Sequence, residues 1–419
     1  MKRISSILLA LFSTASFSQN TFVISDVHVI PISTNTVLEH QDVYIKDGII
    51  EKIEAHKAAA TPGYKLIKGS DKYIMPGLAD MHVHLPDGSE PLTKQQAYDY
   101  YLQTGVTVLR SMRGEKFHPA HRDSIAKGWI KAPKLYISNP LPEIDSLLNK
   151  KRLKAFVAEI KNNKYDFVKY LNGLNDKTMA EVSKVIKSNK IVIAGHVYKD
   201  VRTSMKLGFR SIEHLSPIMD AFNADTANFD KLLAEMKANN VSFCPTESFS
   251  QIVGFQYSID QNMSRNGMNI IDTALANTWK RNYIGYMGQF KKSAVPIYLK
   301  QTKRAKMEID AFHPILRRMV KADVNVLLSP DNCLFNVPGY AMLEEMKLYR
   351  DAGISNYDIL KISTLNAANF FNESKKWGTV ESGKDATLIL LEKNPLENIE
   401  NISSVSTTMI KGKLMWEKK

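Results

Sequence analysis

His82 and His84 stand one residue apart at the end of the run Met75-Pro76-Gly77-Leu78-Ala79-Asp80-Met81. If that run is a strand, alternation puts both imidazoles on one face. Two imidazoles at that spacing can hold one divalent ion; on spacing alone they are equally two histidines satisfied near a strand end. Four further residues of ligand or charge-bearing type follow short apolar runs. Lys169 follows Asp166-Phe167-Val168, His196 follows Ile191 to Gly195, His214 follows Ser211-Ile212-Glu213, and Asp331 follows Val326 to Pro330. A charged lysine in an apolar strand is costly unless something pairs it. Each of these has a bland reading as a capped strand end. Together they ask what architecture would bring them to one place.

The centre of the chain answers with alternation. Expected strands are Ile74–Asp80, Val106–Arg110, Lys134–Ser138, Phe167–Leu171, Ile191–Ala194, Ser211–Glu213, Val241–Cys244 and Val324–Leu328, with amphipathic helices such as Asp176–Ser188 and Phe229–Asn239 between them. Alternating strand and helix implies a parallel sheet. Eight such units match a closed (β/α)8 TIM barrel, whose strand ends converge on one mouth. The six residues fall at the ends of expected strands one, four, five, six and eight.

Both ends of the chain are β-rich instead. Asp47-Gly48 sits between apolar runs as a hairpin turn, and Lys411-Gly412-Lys413 repeats the pattern near the far end. We therefore expect residues 19–73 and 377–419 to form one small β-sandwich domain, and residues 74–376 to form the barrel. The long stretch 247–320, rich in aromatic residues from Trp279 to Tyr298, reads as a helical insertion over the barrel mouth. Residues 1–18 have the form of an export leader: Lys2 and Arg3, an apolar centre from Ile7 to Phe12, then Ser16 and Ser18 before Gln19. That predicts a periplasmic or secreted protein starting near Gln19, with no stable membrane insertion after cleavage. The apolar stretch is shorter than the ~20 residues that span a bilayer. Cys244 and Cys333 are the only cysteines; one pair is no disulfide framework, and both read as free, buried thiols.

Composition restricts the rest. The chain has 419 residues, 44% apolar and 24% charged, with a formal charge of +13. The lysines are scattered, and no basic stripe or nucleic-acid module is present, which argues against a nucleic-acid partner. The expected partner is a small molecule or dipeptide, with a homo-oligomer left open.

The set Met75-Pro76-Gly77-Leu78 with His82 and His84, Gly105-Val106-Thr107, Gly208 to His214, Thr364-Leu365-Asn366-Ala367-Ala368 and Gly383 to Ile389 resembles the amidohydrolase superfamily, in its binuclear, prolidase-like branch. The likeness covers most of the chain after the leader. Two places depart from the usual pattern: Arg110 is followed by Ser111 rather than Asp, and the eighth strand ends Ser329-Pro330-Asp331 rather than Gly-Thr-Asp. The resemblance implies that His82, His84 and Asp331 hold one metal and His196 and His214 a second. Imidazole and carboxylate ligands suit zinc, with manganese or cobalt as alternatives. As an ammonium, Lys169 cannot bind a cation. As a carbamate it becomes an anion with two oxygens that can bridge both ions. Metal binding brings hydroxide within reach of neutral pH, and Asp331 beside it can pass a proton to a leaving amine. The resemblance further implies that Tyr198 donates to the substrate carbonyl as it becomes an oxyanion.

Among the arginines, Arg110 and Arg113 read as binders of a substrate carboxylate or as surface ion pairs. Glu213 reads as structural, pointing away from the site. His118, His121 and His313 read as ordinary surface or lid histidines. The expected activity is hydrolysis of an amide or peptide-like C–N bond, as in a dipeptidase. The alternatives are hydrolysis of cyclic amides, lactones or imidazolone-like rings, and, in another class, a non-catalytic exported protein that binds metal or ligand.

Overall fold

The computed structural model describes residues 21–58, 62–142, 147, 149–293 and 295–418. The leader expected at residues 1–18 lies outside them. Strands β1 (Phe22–Val29), β2 (Leu38–Lys46), β3 (Ile49–Ala55), β4 (Lys65–Lys68) and β5 (Tyr73–Pro76) come from the first part of the chain. The turn at Asp47-Gly48 joins β2 to β3, both residues at positive φ, so that Lys46 faces Ile49.

The barrel strands follow: β6 (Leu78–Val83), β7 (Val106–Ser111), β8 (Lys134–Pro140), β9 (Phe167–Tyr170), β10 (Ile193–Gly195), β11 (Phe209–Glu213) and β12 (Ser242–Cys244). They lie side by side in sequence order and all their pairings are parallel. Residues 324–328 stand where an eighth strand belongs. They bridge both edges without forming a full ladder: Phe243 N–H donates to Asn325 O and Leu327 N–H to Phe243 O, while Met81 N–H donates to Leu328 O at 3.1 Å. The result is a seven-stranded, nearly closed barrel ringed by helices. Alternation sends Val168, Ile193, Ile212 and Phe243 into the core shared with those helices. The residues between them turn to the interior.

The chain then returns to the first sheet through β13 (Leu388–Leu391), β14 (Val405–Ile410) and β15 (Lys413–Glu417). The order is β15-β14-β13-β5-β1-β2-β3, with β4 also on β1. β13 pairs antiparallel with β5, so residues from both ends of the chain share one mixed sheet, and they share one core of Ile24, Val27, Val43, Ile74, Leu388 and Leu390. The two turn glycines are required by contact as well as by φ. A side chain on Gly48 would stand 2.7 Å from Lys411 O, and one on Gly412 would stand 3.0 Å from Gly48 Cα. The sandwich of both ends and the barrel are thus both present.

Between β12 and residue 324 the chain runs through helices Glu247–Val253, Ile259–Met263, Thr273–Ser293 and Val295–Lys321. Trp279 and Tyr283 from this stretch pack with Phe335 and Val337.

Candidate active site

Strand geometry alone aims most of the site. His82 is the fifth residue of β6 and His84 follows the strand's end; their rings stack at 5.5 Å and 8°. His196 continues β10, its N–H donating to Tyr170 O, and His214 continues β11, its N–H donating to Cys244 O. Nε2 of His196 lies 3.1 Å from Nε2 of His214, and the His82 and His214 rings are 4.9 Å apart. Asp331 closes the ring from the eighth position. Its Oδ2 is 3.8 Å from His82 Nε2 and its Oδ1 3.7 Å from His84 Nε2. Ligand atoms of His82, His214 and Asp331 all fall within 4.8 Å of one another.

Lys169 is enclosed on β9, with Ala194 of β10 as its register partner. The close fit there depends on Gly195, at φ +136°: a Cβ would sit 2.1 Å from Tyr170 O and 3.0 Å from Lys169 Cδ. Burial lowers the pKa of Lys169, against the pull of Glu213 and Asp331. Burial also holds the histidines neutral, with the charge of Lys169 adding to it: His84 falls to about 3 and His196 to about 4, and His82 and His214 fall well below the usual value. Neutral imidazoles keep the lone pairs a metal needs.

The donor set fits a divalent ion. Among the described residues, His84 Nε2 and Asp331 Oδ1 are buried without a hydrogen-bond partner. Buried polar atoms are normally satisfied, and here two lone-pair donors face each other across a gap. Imidazole and carboxylate donors suit zinc and its neighbours.

Residues that the sequence did not single out hold this ring in place. Asn332 clamps His84: its Oδ1 accepts from His84 N–H at 2.7 Å and its Nδ2 donates to His84 O at 3.0 Å. Asn336 Nδ2 donates to Pro330 O at 2.6 Å. Thr246, itself at φ 50°, places its hydroxyl 2.9 Å from His214 Nδ1. Asparagines and threonines in mouth loops carry no motif, so only the fold identifies them.

Four expectations are corrected. Arg110 is not a surface ion pair at the mouth: it is fully enclosed inside the barrel, donating from Nη1 to Ser211 Oγ and from Nη2 to both Glu213 oxygens at 2.9 Å. Glu213 does not point away from the site; its Oε2 is 2.9 Å from His82 Nδ1. Third, Tyr198 gives its hydroxyl to Asp176, at the start of helix Asp176–Ser188, and its ring packs edge-on against Tyr170. In this structure that hydroxyl is therefore engaged at Asp176 rather than within the histidine ring. His118 is also buried rather than on the surface, and His313 pairs with the enclosed Glu247 at 2.9 Å.

A cavity of about 150 Å³ opens beside His84, lined among others by Leu85, Asp87, Glu90, Arg113, Trp279 and Cys333. Arg113 is ion-paired there with Asp87 and Glu115, both at 3.4 Å. A larger hollow of about 550 Å³ beside Thr21, Lys46, Tyr64 and Lys65 has no converging ligand-type groups, so we place the chemistry at the smaller one. Cys244 and Cys333 are both unpaired, the first buried and the second half-buried. No helix among the described residues is long and apolar enough to cross a membrane.

The sequence pattern of the amidohydrolase family matches residues 171–415 of the 419. The chain belongs to the amidohydrolase family. It is therefore a hydrolase of C–N bonds, from a family whose members act on small molecules. Among characterised proteins it is 22% identical over 427 residues to imidazolonepropionase of Treponema denticola, covering 90% of this chain and 92% of that one. Among solved structures it superposes on a putative prolidase from Bifidobacterium longum with a TM-score of 0.70 and 19% identity, covering 95% of both chains. A Xaa-Pro dipeptidase with bound methionine gives a TM-score of 0.70 and 18% identity, covering 95% of this chain and all of that one. At these identities the likeness to solved structures is one of fold.

Proposed function

We propose that this amidohydrolase is an exported dipeptidase that depends on two divalent metal ions. The observation that carries the reading is the facing pair of unsatisfied lone-pair donors, His84 Nε2 and Asp331 Oδ1, within a ring of four neutral histidines at the barrel mouth. His82, His84 and Asp331 would hold one ion and His196 and His214 the other. Lys169, as a carbamate, would hold both. Zinc fits this donor set, and manganese or cobalt can replace it. Such ions supply Lewis acidity and lower the pKa of water.

The chain's own residues supply the rest. Asp331 accepts the proton of the attacking water and delivers it to the leaving amine; its carboxylate is enclosed and aimed between His82 and His84. Asn332 and Thr246 keep His84 and His214 in register through their backbone and ring contacts. The cavity beside His84 receives the part of the substrate that extends from the scissile bond, with Trp279 and Leu92 as apolar walls and Asp87, Glu90 and Arg113 as polar ones.

A panel of dipeptides, assayed with metal-stripped and reconstituted protein, tests this reading. Release of free amino acids only from the reconstituted protein supports it. A second reading, opening of a cyclic amide, is favoured by the likeness to imidazolonepropionase. Imidazolonepropionate consumed while every dipeptide survives would replace the first reading with the second. No turnover on either panel by reconstituted protein would favour a binding protein. Export is supported by the form of residues 1–18; a mature product retaining Met1 would overturn it.

A further inference from the structure

Three enclosed side chains from three strands form a line beneath the site. Arg110 comes from β7, Glu213 from β11 and His82 from β6. Arg110 Nη2 donates to both Glu213 oxygens at 2.9 Å, and Glu213 Oε2 lies 2.9 Å from His82 Nδ1. Arg110 and Glu213 are held from their other sides as well. Arg110 Nε donates to Met81 O, Nη1 donates to Ser211 Oγ at 3.0 Å, and the guanidinium lies 4.8 Å from the ring centre of Phe370. Ser211 Oγ in turn donates to Glu213 Oε1.

We infer that Arg110 and Glu213 are positioning residues that set the tautomer and orientation of His82 as a metal ligand. The reasoning is one of donors and acceptors. A neutral imidazole carries one N–H and one lone pair. Glu213, fixed by the two Arg110 bonds, offers His82 Nδ1 an oxygen lone pair, so Nδ1 carries the proton. The remaining lone pair is then on Nε2, the atom that faces Asp331. An imidazole free to turn, or to take the other tautomer, would present an N–H to the cluster. A guanidinium fork is suited to this task because it grips a carboxylate at two points and so fixes its plane. The inference explains why an arginine and a glutamate are kept at the floor of a barrel where apolar side chains would pack. It rests on His82 being a metal ligand, as proposed above, and it concerns affinity for metal rather than the identity of the substrate.

The test is zinc affinity of the stripped full-length protein, measured by competition with a coloured chelator and without substrate. Glu213→Gln keeps the shape but can turn its amide towards Nδ1, which drives the wrong tautomer. We expect zinc binding weakened by roughly 10–100-fold, the range for lost partners of ligating histidines. Arg110→Met should weaken it similarly, and Arg110→Lys, which keeps the charge but loses the fork, should restore it only in part. In a His82→Ala background, Glu213→Gln should have no further effect on zinc affinity, because its route to the metal is gone. Zinc affinity unchanged in folded Glu213→Gln protein, even with a lowered melting temperature, overturns the inference, as does an equal loss in both backgrounds. If Arg110→Met does not fold, Glu213→Gln with and without His82 decides alone. If neither Glu213→Gln nor Arg110→Lys folds, the pair's role is structural and the inference is overturned. Weakened zinc binding in a protein that hydrolyses no dipeptide would leave the inference standing and remove the dipeptidase reading.

Discussion

Asp331→Asn separates chemistry from scaffold at one position. Asp331 sits at φ 55°, in the left-handed region. Asp and Asn both tolerate that region better than other residues with side chains, so the substitution leaves the backbone unstrained. Asp331 N–H donates to Ser329 Oγ at 3.1 Å and Asn336 holds the loop through Pro330 O; neither bond uses the Asp331 side chain. Stability should therefore change by no more than about 1 kcal/mol, the size of a lost cap or turn bond. Turnover should behave differently. A positioned acid–base group contributes ~10²–10⁴-fold, which is about 2.7–5.4 kcal/mol of barrier at 1.36 kcal/mol per tenfold. An amide cannot accept and return the proton. Turnover number and melting temperature are measured on one reconstituted preparation, with metal content determined beside them. A fall of two to four orders of magnitude in kcat, with near-normal melting, is the expected result. A destabilised protein with near-normal kcat would refute the reasoning and make Asp331 a loop residue.

Lys169→Ala should lose most bound metal and activity, with partial return of both on adding a short carboxylic acid; full metal content and full rate in the variant would rule out a bridging role. Asn332→Ala removes both bonds to the His84 backbone, so zinc should bind more weakly than to the parent, as titration of stripped protein would reveal, and unfolding should become easier by about 1–3 kcal/mol. Glu373 is pushed up by burial but pulled down further, to about 2, by Lys134, Tyr136 and Trp377. Its contribution to stability is thus present above the ordinary carboxylate pKa and is lost as pH falls from about 4.5 towards 2. The melting gap between parent and Glu373→Gln should narrow across that window in pH-dependent calorimetry; a constant gap would mean that Glu373 acts through packing alone.

Much of this architecture can be read from sequence because strand alternation and ligand chemistry point the same way. A run such as Phe167-Val168-Lys169-Tyr170 must place Lys169 opposite Val168, and a buried lysine asks for a partner. His-X-His at a strand end, and histidines after β10 and β11, make one site once the strands close into a barrel. The errors have separate physical sources. From sequence, a residue beside a ligand on a strand falls on the far face, and Glu213 beside His214 reads that way. The ladder of β11 ends at Glu213, and His214 lies beyond it at φ 70°. That break in alternation lets both residues address the site. Arg110 reads from sequence as a substrate-carboxylate binder or a surface ion pair; the interior accepts it because Glu213, Ser211 and Met81 O satisfy its donors. Residues 324–328 have strand composition, yet they bridge their neighbours without a regular ladder, a difference of pairing that no local pattern records.

The pairing of β5 with β13 sets Met75 opposite Ile389, more than three hundred residues further along the chain. That sheet therefore cannot be completed before β13 has been made. Until β13 emerges, β5 lacks its antiparallel partner, and the barrel's first strand follows directly from that unfinished edge. The topology itself thus postpones closure of the first sheet until β13 can dock on β5.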